Sequence, residues 1–137
     1  MHIRRQIREA IKTLVDGLEV NDQALTAYTN RIQELDVCDL PVVEIMTAEE
    51  NSETSSKDDD LERRIDVTVV VITNGASDTL DDDLDDWAEA IEPLLKTVPP
   101  AHDMELTSTS LDLQPDDEGD YWFGYLAMSY QAHAFSD

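Results

Sequence analysis

The stretch LDDDLDDWAEAIEP, residues 80–93, contains carboxylates at the spacing of a calcium-binding EF-hand loop. They fall at positions 1, 3, 5, 9 and 12 of such a loop and belong to Asp81, Asp83, Asp85, Glu89 and Glu92. Carboxylate oxygens at these positions are the ligands that Ca²⁺ takes in EF-hands. The stretch therefore poses a choice between a metal site and a helix coated with acidic side chains.

Several features of this stretch favour the helix. An EF-hand loop has Gly at position 6, where the backbone turns sharply, but the residue here is Asp86. The motif also needs a helix on each side, whereas the preceding IDVTVVVITNGASD is typical of a strand and a turn. At about 100° per residue, seven apolar residues lie within an arc of about 120°: Leu80, Leu84, Trp87, Ala88, Ile91, Leu94 and Leu95. We therefore predict an amphipathic helix with an acidic outer face and no metal.

The other residues that could do chemistry form no recognisable set. His2, His102 and His133 are scattered along the chain without metal-ligand spacing. The chain contains neither a Gly-rich phosphate loop nor a GxSxG nucleophile elbow. The single cysteine, Cys38, is flanked by Asp36 and Asp39, whose charges disfavour a thiolate. We expect no catalytic residue and no cofactor, and we predict that the protein is not an enzyme.

The composition describes one acidic domain over residues 1–137. The chain has 32 Asp and Glu against 9 Lys and Arg, a net charge of -23, and 41% hydrophobic residues, enough for one modest core. Such a surface repels nucleic acid and anionic membranes, and no apolar run reaches membrane-spanning length. Because high salt screens the self-repulsion of so many carboxylates, we predict a halophilic source; an ordinary acidic protein is the alternative.

Basic residues concentrate at the N-terminus, where residues 3–18 are predicted to form an amphipathic helix. Four of the nine basic side chains belong to this helix: Arg4, Arg5, Arg8 and Lys12. They either balance charge within the molecule or form a docking patch for an acidic neighbour, which could be a second copy of the chain.

The rest of the chain predicts strands around the second helix. Strands are expected near Leu25 to Arg31 and in DLPVVEIMTAEE, LERRIDVTVVVIT, MELTSTSLDLQ and YWFGYLAMSYQAHAF, with a bulge between Leu106 and Leu111. The polar residues 47–60 are predicted to be a mobile acidic loop. This order predicts an α+β fold: a single antiparallel β-sheet with two α-helices packed on one face. The open face would leave aromatic residues for partners: Tyr121, Trp122, Phe123, Tyr125 and Tyr130.

The order and spacing of these segments resemble the tail terminator (tail completion) proteins of long-tailed phages and related haloarchaeal tailed viruses. The resemblance covers nearly the whole chain and is carried by IRRQIREAIKTLVDGL, AYTNRI, DLPVVEIMTAEE, LERRIDVTVVV, LDDDLDDWAEAIEPLL and ELTSTSLDLQPDDEGDYWFGYLAMSYQAHAF. Gly124 and Tyr130 stand where such proteins often carry Gly and Tyr.

The resemblance implies a structural virion protein that forms a hexameric ring, caps the tail tube and joins the tail to the head connector. Its partners would be further copies of itself, the tail tube protein and the head-tail connector protein, with genomic DNA passing through the lumen without specific binding. Loop 47–60 would contact the neighbouring ring, so the interface candidates are Arg4, Arg5, Arg8, Lys12, Glu49, Glu50 and Lys57. An acidic lumen would let DNA slide, and its candidates are Asp58, Asp59, Asp60, Asp81, Asp82, Asp85 and Asp86. The alternatives are another ring protein of the head-tail connector or an acidic decoy that mimics DNA.

Overall fold

The computed structural model describes residues 2–30, 40–54, 61–117, 119 and 121–136. Its helices and strands are α1 (Ile3–Val15), β1 (Glu19–Val20), β2 (Gln23–Ala24), β3 (Thr26–Tyr28), β4 (Val42–Thr54), β5 (Leu61–Gly75), α2 (Leu80–Ile91), β6 (Asp103–Pro115) and β7 (Trp122–Ser136). A single turn of 3-10 helix, Glu92–Leu95, follows α2.

The predicted α+β class is confirmed. β3 to β7 form one sheet in the order β3-β4-β5-β7-β6, in which every pair is antiparallel except the parallel pair β3–β4. The parallel pair is short, since Thr26–Tyr28 lies opposite Val42–Glu44. A separate two-stranded ribbon, β1–β2, was not predicted; it turns through Asn21 and Asp22, whose φ angles of 52° and 65° suit a tight hairpin turn.

Both helices pack on one face of the sheet and enclose the core. Helix α1 buries Ile3, Ile7, Ile11 and Val15, which repeat at the spacing of one helix face. It ends at Val15, before the predicted Leu18, because Gly17 takes a positive φ of 80° that ends the helical path. Helix α2 buries Leu80, Leu84, Trp87 and Ile91. These side chains meet alternate residues of β5 and β7 in the core: Ile65, Val67, Val69, Val71, Leu126, Met128, Tyr130, Ala132 and Ala134.

The second face of the sheet is covered less completely. In β5, Val67, Val69 and Val71 are fully buried on the helix side, whereas Thr68 and Val70 between them are half-buried. The apolar run of β5 is therefore buried more completely on the helix side than on the second face. From Val67 to Val71 it follows the alternation of a sheet with one covered side, whereas Ile72, on the second face, is itself only 3% exposed.

The predicted loop over residues 47–60 begins too early. Strand β4 continues to Thr54 and pairs with β5 from Thr54 opposite Leu61 to Val42 opposite Ile72. A bulge between Thr47 and Glu49 shifts the register where the apolar alternation stops. Backbone hydrogen bonds to β5 extend the strand through polar residues, so the loop prediction is wrong for residues 47–54. Residues 55–60 lie outside the described part of the chain.

The C-terminal half follows the prediction closely. Helix α2 begins at Leu80 and gives way to the 3-10 turn at Glu92, immediately before Pro93, whose ring disfavours a continuing α-helix. Strands β6 and β7 form a long hairpin, and the predicted bulge lies between Leu106 and Ser108, where Thr107 is the extra residue. None of the helices within the described residues is both long and apolar enough to cross a membrane.

Candidate functional site

The stretch that resembles a calcium loop is helix α2. Its backbone is helical from Leu80 onward, so it does not form the looped ligand arrangement of an EF-hand. Among the described residues, no group of three or more His, Cys, Asp or Glu is arranged to hold a metal ion. Four of the predicted channel-lining residues are exposed on the outer side of α2: Asp81, Asp82, Asp85 and Asp86.

The carboxylates of α2 repel one another. Asp83 is half-buried, and burial raises the pKa of its carboxyl group above the ordinary value, with further contributions from the negative charges of Asp86 and Asp82. Asp86 accepts a hydrogen bond of 2.9 Å from Nδ2 of Asn21, which ties the β1–β2 turn to the helix. The hydrogen bond from Asn21 therefore connects the acidic face of α2 to the rest of the fold, while the carboxylates on that face repel one another.

The basic residues of α1 lie on the side of the helix that faces the β4 edge of the sheet. Nη1 of Arg8 donates a hydrogen bond to Oγ1 of Thr47 in β4, which fixes the orientation of that side. At about 100° per residue, Arg4, Arg5 and Lys12 lie within about 60° of Arg8 around the helix. The sequence did not predict this engagement of Arg8, because a helical wheel contains no information about the neighbouring strand.

The four basic residues of α1 are thus not equivalent. The side chain of Arg5 is exposed, whereas Arg8 is half-buried and its Nε atom is buried without a hydrogen-bond partner among the described residues. A cleft of about 240 Å³ adjoins Arg8 and is lined by Thr29, Asn30, Met46 and Thr47. Arg8 therefore helps to hold α1 against β4, while Arg5 is the more accessible residue for an external partner.

Strand β6 forms the opposite edge of the sheet. Within the described residues it pairs with β7 on one side only, and nearly all of its side chains are exposed. Two of them are large and apolar: Leu106 is 40% exposed and Leu111 is 42% exposed. Asp103, Glu105 and Asp112 are also exposed along this strand. The edge therefore combines unpaired backbone, apolar side chains and negative charge.

A small cleft beside this edge contains a buried tyrosine hydroxyl. The cleft has a volume of about 150 Å³ and is lined by Glu92, Leu95, Lys96, Met104, Leu106 and Tyr130. Tyr130 is only 4% exposed, and its hydroxyl group has no hydrogen-bond partner in the part of the chain that the structure describes. Burial, together with the negative charge of Glu92, raises the pKa of Tyr130 to about 12.

The aromatic residues expected on the open face do not all lie there. Tyr121, Phe123 and Tyr125 line an open cleft of about 530 Å³ at the turn of the β6–β7 hairpin, together with Gln114, Pro115, Asp116 and Asp117. The rings of Tyr121 and Phe123 meet edge to face with centroids 5.3 Å apart. The expectation is wrong for Tyr130, which lies in the core, because its position in β7 places it on the helix side.

Two histidines that are distant in sequence come together in the structure. The ring centroids of His102 and His133 are 6.2 Å apart, and His102 stacks on Phe135 at 4.6 Å. Nε2 of His133 lies 3.9 Å from Oε2 of Glu105. The register of β6 against β7 brings these residues together, and the spacing of the histidines in the sequence does not predict their proximity.

The remaining candidates are only partly placed. Glu49 and Glu50 lie in β4, opposite Asp66 and Ile65 of β5. Other predicted positions lie outside the described residues: Cys38, Lys57, Asp58, Asp59 and Asp60. No protein-family model matches the chain, and a search of curated proteins finds no match either.

Proposed function

We propose that this chain is a structural virion protein that forms a homohexameric ring on the end of a viral tail tube. The ring ends tube polymerisation and joins the tail to the head connector. It acts through surfaces and catalyses no reaction. It is assembled in the host cytoplasm and resides in the virion at the head-tail junction.

The order and layering of the elements support this proposal. The chain begins with α1, continues through the β4–β5 hairpin to α2, and ends with the β6–β7 hairpin, with both helices on one face of the sheet. The order of segments that carries the resemblance to tail terminator proteins implies the same arrangement of helices and strands. Within the described residues, the segments that carry the resemblance have the expected helix or strand, except that β4 continues to Thr54 where an acidic loop was expected from residue 47.

The distribution of charge supports a ring through which DNA passes. The exposed carboxylates of α2 offer a surface that repels phosphate, and we propose that some of Asp81, Asp82, Asp85 and Asp86 line the lumen, with Asp58, Asp59 and Asp60 as further candidates. An acidic wall would let DNA slide without binding it. The same excess of carboxylates supports a halophilic source, in which salt screens repulsion between subunits.

The proposal is tested by adding the purified protein to its tail tube protein during polymerisation. We expect electron micrographs to show a six-fold ring at one end of each tube and to show that tubes stop growing once capped. The matched control is the protein unfolded by heat before addition, at the same concentration. Antibody labelling of virions should mark the head-tail junction.

Other outcomes would identify the alternatives. A ring that binds the head connector but leaves tube growth unchanged would replace the terminator proposal with that of another connector ring protein. A monomer or dimer that binds a basic DNA-binding protein in competition with DNA would indicate a DNA-mimicking decoy.

A further inference from the structure

We propose that the outer edge of β6 binds an extended, basic segment of another protein, which adds one strand to the five-stranded sheet. The β6 edge is defined here as the outward backbone and the side chains of residues 103–114. The bound segment carries Lys or Arg on the side that faces the carboxylates of β6 and one neutral hydrogen-bonding side chain in the cleft that Tyr130 lines. This site does not depend on the proposed ring, because it specifies the chemistry of a partner whichever assembly the chain forms.

Strand β6 is long and open to solvent. It runs from Asp103 to Pro115, and eleven of its thirteen side chains are exposed. Within the described residues it pairs only with β7, so the backbone groups on its outer side have no strand partner there. Open edges are commonly protected by lysines or internal prolines, because free backbone groups pair readily with another chain. Residues 103–114 contain no Lys, Arg or Pro, so the β6 edge lacks these protections.

The side chains of β6 divide by chemistry between the two faces of the sheet. Asp103, Glu105 and Asp112 pair with β7 residues of the open face, so their carboxylates lie on that side of the edge. Leu106 and Leu111 pair with buried β7 residues and lie on the helix side, where they are 40% and 42% exposed. The side chains of an added strand alternate in the same way. A segment that fits this edge therefore has basic side chains on one face and apolar or neutral polar side chains on the other.

Charge excludes a second copy of this chain as the added strand. Two β6 edges placed together would bring like charges against each other, which costs free energy. Among the described strands only β5 contains Lys or Arg, at Arg63 and Arg64, and both of its edges are already paired, with β4 and with β7. No free strand edge of the described chain therefore brings positive charge to the carboxylates of β6. A basic segment of another protein does so on the side where those carboxylates lie.

The cleft beside Leu106 gives an independent reason to expect a ligand at this edge. The hydroxyl of Tyr130 is buried without a hydrogen-bond partner among the described residues, which costs free energy. Glu92 lines the same cleft, and its negative charge acts on this hydroxyl. The cleft has a volume of about 150 Å³, which admits one side chain. A Gln side chain suits both groups, because its carbonyl oxygen can accept from the hydroxyl while its NH₂ group donates to the carboxylate.

Binding of a designed peptide tests the proposal. The probe is Lys-Val-Lys-Gln-Lys-Val-Lys-Val-Lys with both ends blocked, so that Lys occupies one face of the extended peptide. We expect calorimetry to show one-to-one binding to the native chain and hydrogen exchange to show new protection of backbone amides in β6. A control peptide with Glu in place of every Lys should not bind. If the Lys peptide does not bind, or if it protects no amide of β6, the proposed site is overturned.

Paired variants of the chain separate local charge from overall charge. Glu105→Lys with Asp112→Lys should weaken binding of the Lys peptide at least about tenfold. Asp81→Lys with Asp85→Lys makes the same change in net charge on the outer side of α2 and should leave the affinity within about threefold of the native value. Circular dichroism checks that each variant is folded. Equal losses in the two variants would assign the binding to general attraction by an acidic protein and would overturn the site.

The cleft is tested by a second pair of changes, one in the peptide and one in the chain. The native chain should bind the Gln peptide about three- to tenfold more tightly than a peptide with Val at that position, because only Gln satisfies the hydroxyl of Tyr130. In Tyr130→Phe this preference should fall below about twofold. A preference for Gln that Tyr130→Phe leaves undiminished would overturn the proposed role of the cleft.

Backbone pairing has a signature of its own. In an added strand, alternate N–H groups of the peptide point toward β6 and the others point away from it. Methylating one alternate set of peptide nitrogens should therefore abolish binding, whereas methylating the other set should not. Equal effects of the two methylated peptides would show that the peptide does not bind as a strand and would overturn the proposal.

Discussion

Arg8 of α1 and Thr47 of β4 are joined by a hydrogen bond from the guanidinium Nη1 to the hydroxyl Oγ1. This contact connects the first helix to the sheet at the point where β4 bulges and continues beyond its pairing with β3. It also distinguishes Arg8 from the other basic residues of the helix, because part of its guanidinium group is buried.

Arg8→Glu is expected to destabilise the fold by about 1 to 3 kcal/mol, because it places a carboxylate among half-buried groups and removes the bond to Thr47. Arg5→Glu, the matched control on the exposed side, should leave the free energy of unfolding unchanged within error. Urea unfolding followed by circular dichroism measures both. Equal stability of the two variants would contradict the structural role of Arg8.

Gly124→Ala is expected to destabilise the chain by about 1 to 3 kcal/mol through overpacking. A Cβ atom at this position would lie 2.9 Å from Cγ of Leu80 and 3.1 Å from each of its Cδ atoms, and Leu80 is fully buried at the start of α2. Combining the change with Leu80→Ala should cost less than the sum of the two single changes. Ser129→Ala, on the open face of the same strand, is the control, and a loss there as large as that of Gly124→Ala would argue against the contact.

Tyr130 should ionise only at high pH, since its pKa is raised to about 12. The unfolded chain releases this proton near the ordinary value of 10.0, so the contribution of Tyr130 to stability is complete below that pH and is lost as pH rises toward about 12. Ultraviolet titration of the phenolate in the dissociated chain should show a transition near pH 12 that Tyr130→Phe removes. A titration curve that Tyr130→Phe leaves unchanged in this pH range would contradict the burial of this hydroxyl.

Asp83→Asn should stabilise the chain at about pH 7, because folding disfavours the ionised form of a carboxyl group whose pKa is raised. Below the ordinary pKa of 3.8 the group is protonated in both states, so the stabilisation should fade as pH falls toward that value. Thermal melts of the variant and the native chain over this pH range measure the difference. A gain that is constant with pH would assign the effect to packing instead of charge.

Salt should raise the melting temperature of both the chain and its assembly. The net charge is -23, and the Debye length falls from about 10 Å at about 0.1 M salt to about 3 Å at about 1 M, so repulsion between carboxylates is largely screened in molar salt. Sodium and potassium chloride should act alike if screening is the cause. A melting temperature that stays flat or falls between about 0.1 M and 2 M salt would remove the halophilic interpretation.

The sequence was most informative where side-chain burial follows a simple period. The buried faces of α1 and α2 repeat at helical spacing, and the bulge in β6 is visible as a change in the alternation of Leu106 and Leu111. The continuation of β4 to Thr54 was not predictable in this way, because backbone pairing with β5 and not an apolar pattern holds it. The β1–β2 ribbon is too short for a periodic signal, although Asn21 and Asp22 are typical turn residues.

The candidate surfaces likewise include some features that the sequence predicts and others that it does not. The basic side of α1 and the acidic side of α2 were predictable from the charges and the helical period, since each set of charges lies on one side of a single helix. The engagement of Arg8, the cleft at Tyr130 and the approach of His102 to His133 depend on which strands become neighbours. Such neighbours are set by the register of the whole sheet, which no local pattern specifies.

Thr107, the extra residue at the bulge of β6, reverses the side of the sheet that each following residue of β6 faces. Its hydroxyl donates a hydrogen bond of 3.0 Å to the carbonyl oxygen of Ser129, and beyond it every side chain of β6 is shifted by one step. Leu106 and Leu111, an odd number of residues apart, therefore share the helix side of the sheet. Removing Thr107 would restore the regular alternation of β6 and turn Leu111 and Leu113 toward the open face. The polar residues between them would then face the helix side, so one deletion would exchange apolar and polar side chains between the two sides of the sheet.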